Sequence, residues 1–325
     1  MKKEQPSMLK IAQRAGVSAM TVSRALNHSS AVLPATREKV LRIAHEMGYS
    51  HYPNAISRML RGERSRSIGI LTAFARPNLA GELIRRIGQE LFPSDYVSYI
   101  VNTYADPLVV LRSLQTLAER RTEGVIYFGY NPEEINDDVI RLLRQIGAAV
   151  LISHVHQHVP FHQIYCGWDP GVRDAVRYFA RRGCTCPILL KESANRSCVQ
   201  VFESACGEYG FKNWEVITCP PRQVESLPEL QRGLPGDAVF CSSEKFRLPA
   251  EKLTQAGKKV PLVVLLDDFL ISQLCPAYPV LRRREPEAGA LAVKLLLDQI
   301  SGKAAEPATI SLPMQFLESI QDIQP

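Results

Sequence analysis

Across the first fifty residues the apolar positions recur every three or four residues, in three short runs. Met8, Ile11, Ala12 and Ala15 line one face of a helix that Ser7 can cap and that ends near Ala15. Gly16 supplies a left-handed turn. Ser18 caps a second helix, Ala19 to Leu26, which turns Val22, Ala25 and Leu26 inward and leaves Ala19, Met20, Ser23 and Arg24 outside. A third helix starts with Pro34 in its first turn, runs through Met47, and packs through Val40, Ile43, Ala44 and Met47. Two helices joined by a tight Ala15-Gly16-Val17-Ser18 turn predict a helix-turn-helix, whose second helix is the one that enters the DNA major groove.

From Ser67 the period changes. Apolar strands alternate with amphipathic helices: Ser67–Phe74, Leu79–Phe92, Val97–Asn102, Pro107–Arg121, Gly124–Phe128, Glu133–Gln145 and Ala148–Ser153. A second series has strands near Gln163–Cys166, Ile188–Lys191, Glu215–Thr218, Ala238–Cys241 and Leu262–Leu266. Its helices fall near Gly171–Arg182, Ser197–Tyr209, Glu244–Ala256 and Glu287–Ile300. Strands separated by helices of this length predict right-handed βαβ units and parallel sheets. The fold class expected is therefore an all-α helix-turn-helix headpiece followed by an α/β body of two lobes.

Charge sharpens the assignment of the first domain. Residues 1–66 hold twelve Lys and Arg against four Asp and Glu, a local +8, so the other 259 residues carry about −2 of the chain's formal +6. A polyanion binds at one end. Short side chains at the start of the second helix admit its N-terminus deep into the groove, where Thr21 and Ser23 can bond phosphates. Arg24 is the base reader, through a bidentate contact to guanine, while Ala19 and Met20 offer packing on a thymine methyl. The competing reading is a small helical bundle with a basic, solvated face.

Downstream residues decide between them. Ala15-Gly16-Val17-Ser18, Thr21-Val22-Ser23-Arg24, Leu26-Asn27, Thr36-Arg37, Lys39-Val40, Gly48-Tyr49, Pro53-Asn54-Ala55-Ile56, Arg58, Leu60 and Ser67-Ile68-Gly69-Ile70-Leu71 follow one another in a fixed order. In that order the chain resembles the lactose-repressor/galactose-repressor family of transcription regulators, over essentially its whole length and most strongly through residue 72. The resemblance implies three parts: a DNA-binding domain at 1–52, a hinge helix and linker at 53–66, and a periplasmic-binding-protein-like effector and dimerisation domain at 67–325. It adds Asn27, Thr36, Asn54, Ala55, Arg58 and Leu60 to the DNA contacts, with Leu60 as a wedge between base steps of the minor groove. A seven-residue helix is unstable alone, so such a hinge would form only against DNA and a twin. A plain linker suits Gly62 to Arg66 but not the apolar spacing of Ala55, Ile56, Met59 and Leu60.

The chain also departs from the family. Ser50-His51-Tyr52 stands where one residue is usual, which alters the reach between reader and hinge, and Leu33 replaces the Ser that normally caps the third helix. For the effector cleft the resemblance points to Phe74, Arg76 and Leu79 after the first strand, and to Asp169, Arg196, Cys198, Ser243 and Asp267. Asp169 and Asp267 match the family's acidic residues, Asp267 being the usual hydroxyl acceptor; otherwise they are helix caps. Pro77-Asn78-Leu79-Ala80 lacks the aromatic ring of relatives, Cys198 stands at the family's Arg, and Ser243-Glu244 replaces Asn-Asp. The effector expected is a sugar or sugar derivative. The alternative is a non-sugar ligand, or none.

Other signals exclude more than they assign. His154, His156, His158 and His162 have mixed spacing and share no frame with carboxylates or thiols, so no metal is expected. Arg282-Arg283-Arg284 before Glu285 and Glu287 predicts a locally paired surface run. The eight cysteines predict mostly buried, reduced thiols. No nucleotide loop, nucleophile elbow or zinc-protease motif occurs, so neither catalytic residues nor a cofactor is expected and the chain is not read as an enzyme. No apolar run reaches the roughly 18 residues of a membrane span, and the start of the chain is charged, which predicts a cytoplasmic address and no membrane partner. A two-lobed solute-binding protein is the rival class, but it would need a signal peptide and no basic headpiece. The expected partners are a double-stranded operator, a small-molecule effector and a second copy of the chain.

Overall fold

The computed structural model describes residues 7–26, 31–49, 64–73, 80–129, 135–153, 159–191, 196–218, 236–248, 250, 260–303 and 306–319. The chain divides into two compact units, Met1–Ser65 and Arg66–Pro325.

The first unit is a bundle of α1 (Met8–Ala15), α2 (Ala19–Leu26) and α3 (Pro34–Glu46). Ser7 Oγ accepts from Lys10 N at 3.4 Å to cap α1, and Gly16 closes it at φ 66°. Ser18 Oγ caps α2 by accepting from Thr21 N at 3.0 Å. At α3, Leu33 makes no side-chain cap bond, and Pro34 supplies the preset first turn instead. Ile11, Ala12, Ala15, Val22, Ala25, Leu26, Val40, Ile43 and Ala44 form the core, joined by Val32 and flanked by Val17, Met47 and Tyr49. Met8, expected on the inner face of α1, is instead 40% exposed. The first turn of a short helix lies at the rim of such a core.

The second unit holds two six-stranded sheets. In the first, the order is β11-β5-β4-β3-β1-β2, with every pair parallel. These strands are β1 (Ser67–Thr72), β2 (Val97–Asn102), β3 (Gly124–Phe128), β4 (Ala148–Ser153), β5 (His162–Tyr165) and β11 (Thr309–Ser311). The second has the order β12-β10-β9-β8-β6-β7, made of β6 (Pro187–Lys191), β7 (Glu215–Thr218), β8 (Ala238–Cys241), β9 (Leu262–Leu266), β10 (Val280–Arg282) and β12 (Gln315–Leu317). Only β12 runs antiparallel to its neighbour, β10.

Helices cover both sheets on both faces, which is why β1, β3, β8 and β9 are buried along their whole length. In the first lobe α4 (Gly81–Leu91) and α10 (Glu285–Ile300) pack with Ile68, Ile70, Ile126 and Val150, while α5 (Pro107–Glu119) and α6 (Asp137–Ile146) pack with Leu71, Val125 and Leu151. α4 and α10 approach closely: a Cβ at Gly289 would meet the Leu83 carbonyl oxygen at 3.0 Å. In the second lobe α7 (Gly171–Arg181) and α8 (Arg196–Glu208) share one core with Leu189, Phe240 and Val263. The turn Glu244–Phe246 and α9 (Asp268–Leu274) lie over the other face, where Phe246 and Ile271 join Ile188 and Val264.

β5 and the last helix, which belong to the second series along the chain, lie in the first lobe: β5 pairs with β4, and α10 packs on β3 and β4. Periodicity reveals which face of an element is apolar but not which sheet receives it. The chain thus crosses between lobes three times, at residues 166–170, 283–284 and 312–314, and the first and third crossings are bonded through Leu312 N to Tyr165 O and Met314 N to Gly167 O. The helix expected from Glu244 begins as a 3-10 turn, and residues 251–259 lie outside those described. No helix among the described residues is long and apolar enough to cross a membrane.

Candidate functional site

The solvent face of α2 is built from its N-terminal cap outward. Ser18 Oγ and Thr21 Oγ1 lie 2.9 Å apart, so the cap holds a second hydroxyl at the helix start, beside backbone N–H groups with the positive end of the helix dipole. Ala19 and Arg24 are exposed, Met20 is 63% exposed, and Thr21 and Ser23 are half-buried at the edge of this face. Among the described residues Arg24 has no ion-pair partner, leaving its five donors available. Ser7 and Ser18 are exposed and Thr36 is half-buried in the first turn of α3. The arrangement can do one thing well: present hydroxyls and backbone amides to phosphates with an arginine and a small apolar patch between them. Asn27, Asn54, Ala55, Arg58 and Leu60 lie outside the described residues.

Of the described residues singled out for an effector, Asp169, Cys198, Ser243 and Asp267 are engaged within their own lobe. Phe74, Arg76 and Leu79 lie outside the described residues. Asp169 takes Arg173 Nε on both oxygens, at 3.1 and 2.9 Å, and Arg173 continues to Glu208 and to Ser204 Oγ at 3.4 Å. The hydrogen bond to Asp169 raises the Arg173 pKa above its ordinary value, with partial burial opposing it. Asp267 is only 6% exposed and caps α9, accepting from Leu270 N at 2.7 Å. Ser243 caps the Glu244–Phe246 turn, accepting from Lys245 N at 3.4 Å, and its hydroxyl donates to Glu244. Arg196 is exposed at the start of α8.

Cys198 is a correction. Its side chain has no exposed surface and packs with Phe202, Ala205 and Phe240 in the core beneath α8, so it presents nothing to a ligand. The family position was matched by spacing, but at this point of α8 the helix faces inward.

The Arg282–Arg284 run is paired as expected but is half-buried rather than fully exposed. Arg282 bonds Glu287 at 3.1 Å and Gln315 at 3.2 Å, Arg284 bonds Glu287 at 3.2 Å, and Arg283 lies 3.8 Å from Glu285. Arg282 and Arg283 are 15% and 17% exposed, because the run forms the second crossing between lobes. Burial, with Glu285 adding to it, pushes the nearby Cys166 thiol up to about 12. Among the described residues Cys198, Cys206 and Cys241 are buried, Cys166, Cys184 and Cys186 are half-buried and Cys275 is exposed, so the expectation of mostly buried thiols is only partly met there; Cys219 lies outside the described residues. His162 is buried with its Nδ1 accepting from Ala308 N at 3.2 Å, while His154, His156 and His158 lie outside the described residues. No group of metal-ligating side chains gathers among the described residues.

Sequence reasoning missed Arg173, although the Asp169/Arg173 spacing of four on a helix was a legible signal for it.

A basic helix-turn-helix with an exposed recognition face in the first unit and an α/β body of two parallel-sheet lobes in the second define a DNA-binding transcription regulator. The model of "Bacterial regulatory proteins, lacI family" matches residues 7–54, the segment that carries the helix-turn-helix. It is 26% identical over 311 residues to the HTH-type transcriptional repressor PurR of Haemophilus influenzae (strain PittEE), covering 90% of each chain. The fold is shared with the lac repressor dimer bound to operator and an anti-inducer (TM-score 0.77, 20% identity, 97% of this chain and 98% of that one). It is shared too with the transcriptional regulator CelR in complex with cellobiose (TM-score 0.63, 23% identity, 97% and 99%).

Proposed function

We propose that the chain is a transcriptional repressor that binds a twofold-symmetric duplex as a homodimer and is controlled by a small molecule bound between its lobes. The observation that carries this reading is the face of α2, where Arg24, Ala19 and Met20 stand exposed beside the Ser18 and Thr21 hydroxyls. In this reading residues 1–52 read the major groove through Ser7, Ser18, Ala19, Met20, Thr21, Ser23, Arg24, Asn27 and Thr36. Residues 53–66 are the hinge and linker, with Asn54, Ala55, Arg58 and Leu60 in the minor groove, and residues 67–325 sense and dimerise. Repressor activity is supported by the similarity to PurR over 90% of each chain, and a dimer by the lac repressor's operator-bound dimer and by the apolar outer edge of β2. Replacing Arg24 tests the reading. R24A should weaken specific binding by about 1–3 kcal/mol and relax discrimination at one base position per half-site. Equal weakening on specific and random duplexes in a shift assay contradicts it.

A sugar effector is supported by the cellobiose complex of CelR. A regulator answering to a non-sugar ligand, or to none, is favoured by a different observation: Asp267 Oδ1 and Ser243 Oγ each accept a cap bond, Asp169 is paired with Arg173, and Cys198 is core.

A further inference from the structure

Arg66, the first residue of the body, sits at φ 50°, a left-handed conformation that side chains other than glycine adopt only where their surroundings hold it. The surroundings here come from two separate segments. Glu123, just before β3, accepts the Arg66 backbone N–H on Oε1 at 2.7 Å and the Tyr96 hydroxyl on Oε2 at 2.8 Å. The Arg66 carbonyl accepts from Val97 N at 2.9 Å, its guanidinium reaches Asp95 at 3.2 Å, and Glu123 N donates to Ser67 O at 2.9 Å. Both oxygens of one carboxylate therefore tie the entering chain to the segment that leads into β2, the strand with the exposed apolar edge.

We propose that Glu123 is a positioning residue for DNA binding: it clamps Arg66 and so fixes the point at which the chain enters the body. This inference rests on the reading of the chain as a dimer that grips two half-sites. When two heads are linked, the second binds intramolecularly at an effective concentration set by how well the reach of the tethers matches the distance between half-sites. A clamped exit point makes that match sharp. A freed exit point lets the heads serve several spacings almost equally.

The test uses the full-length protein and a duplex series, made from its selected operator, in which the half-sites are moved progressively apart. The unmodified protein should prefer one spacing. E123A should shrink that preference by about tenfold while leaving affinity for an isolated half-site unchanged. E123Q keeps an acceptor oxygen for the Arg66 amide and should retain the preference, a rescue that loss of general stability would not produce. Should E123A fail to fold, Y96F is read instead, since it keeps the ring and removes only the second bond to Glu123; it should flatten the preference part of the way. Spacing preference unchanged in the folded variants overturns the positioning role alone. An unmodified protein that selects no duplex at all overturns the dimeric DNA-binding reading, and this inference with it.

Discussion

Asp267 shows how a single carboxylate can be committed before any ligand arrives. It is nearly buried at the end of β9, and its Oδ1 takes the Leu270 N–H at 2.7 Å as the N-cap of α9. Removing such a cap costs about 0.5–2 kcal/mol of stability. D267A should therefore lower the melting temperature of the body whatever the effector. The two readings of the inter-lobe residues part on a second measurement, the response of operator binding to a panel of sugars, sugar phosphates and nucleobases. If Asp267 is only a cap, D267A retains whatever response the unmodified protein has; if it also binds an effector hydroxyl, the response is lost. Arg24 is the opposite case, exposed and free of ion pairs among the described residues, so its value lies in what it meets outside the chain.

At the scale of elements, α2 and β2 are the two that face outward with purpose. Every backbone feature of α2 follows from local sequence: the Gly16 turn, the Ser18 cap and an inner face of Val22, Ala25 and Leu26. β2 is different. It is the outer strand of the first sheet, bonded to β1 on one side, with Val97 65% and Ile100 51% exposed and Phe92 exposed just before it. An apolar edge strand, exposed among the described residues, invites pairing or packing with another chain. In the proposed dimer this edge is covered by its twin. I100K should shift the protein from dimer to monomer in sedimentation velocity without lowering the thermal stability of the body, because the side chain is half in solvent already. A dimer that survives this change removes β2 from the interface.

The elements legible in the sequence were those whose signals are local. The three head helices, the caps and the long buried strands could be read from spacing of three, four or two and from Ser, Gly and Pro at the ends. Short pieces could not: β10, β11 and β12 have three residues each, too few for a period to declare itself. Nor could the fate of Cys198, since an amphipathic pattern on α8 does not say how far the inner face extends at its first turn. The clamp on Arg66 was invisible because its carboxylate is brought in from 57 residues away by the β1/β3 pairing.

At the scale of the whole molecule, the basic charge is concentrated in the unit that carries the helix-turn-helix, while the body is close to neutral. The body itself is two sheets stitched by three crossings, so a change in the angle between lobes must pass through residues 166–170, 283–284 and 312–314. The Arg282, Arg284 and Glu287 pairs occupy the second of these crossings and tie β10 to α10. A ligand shifts such a molecule only by binding its two arrangements unequally; moving it from 1:99 to 99:1 requires about 5.5 kcal/mol. The central claim, however, concerns the head. Purified full-length protein, incubated at low ionic strength with a random pool of duplexes and candidate metabolites, should enrich one motif with twofold symmetry. A pool that emerges from repeated selection with no preferred sequence contradicts the account.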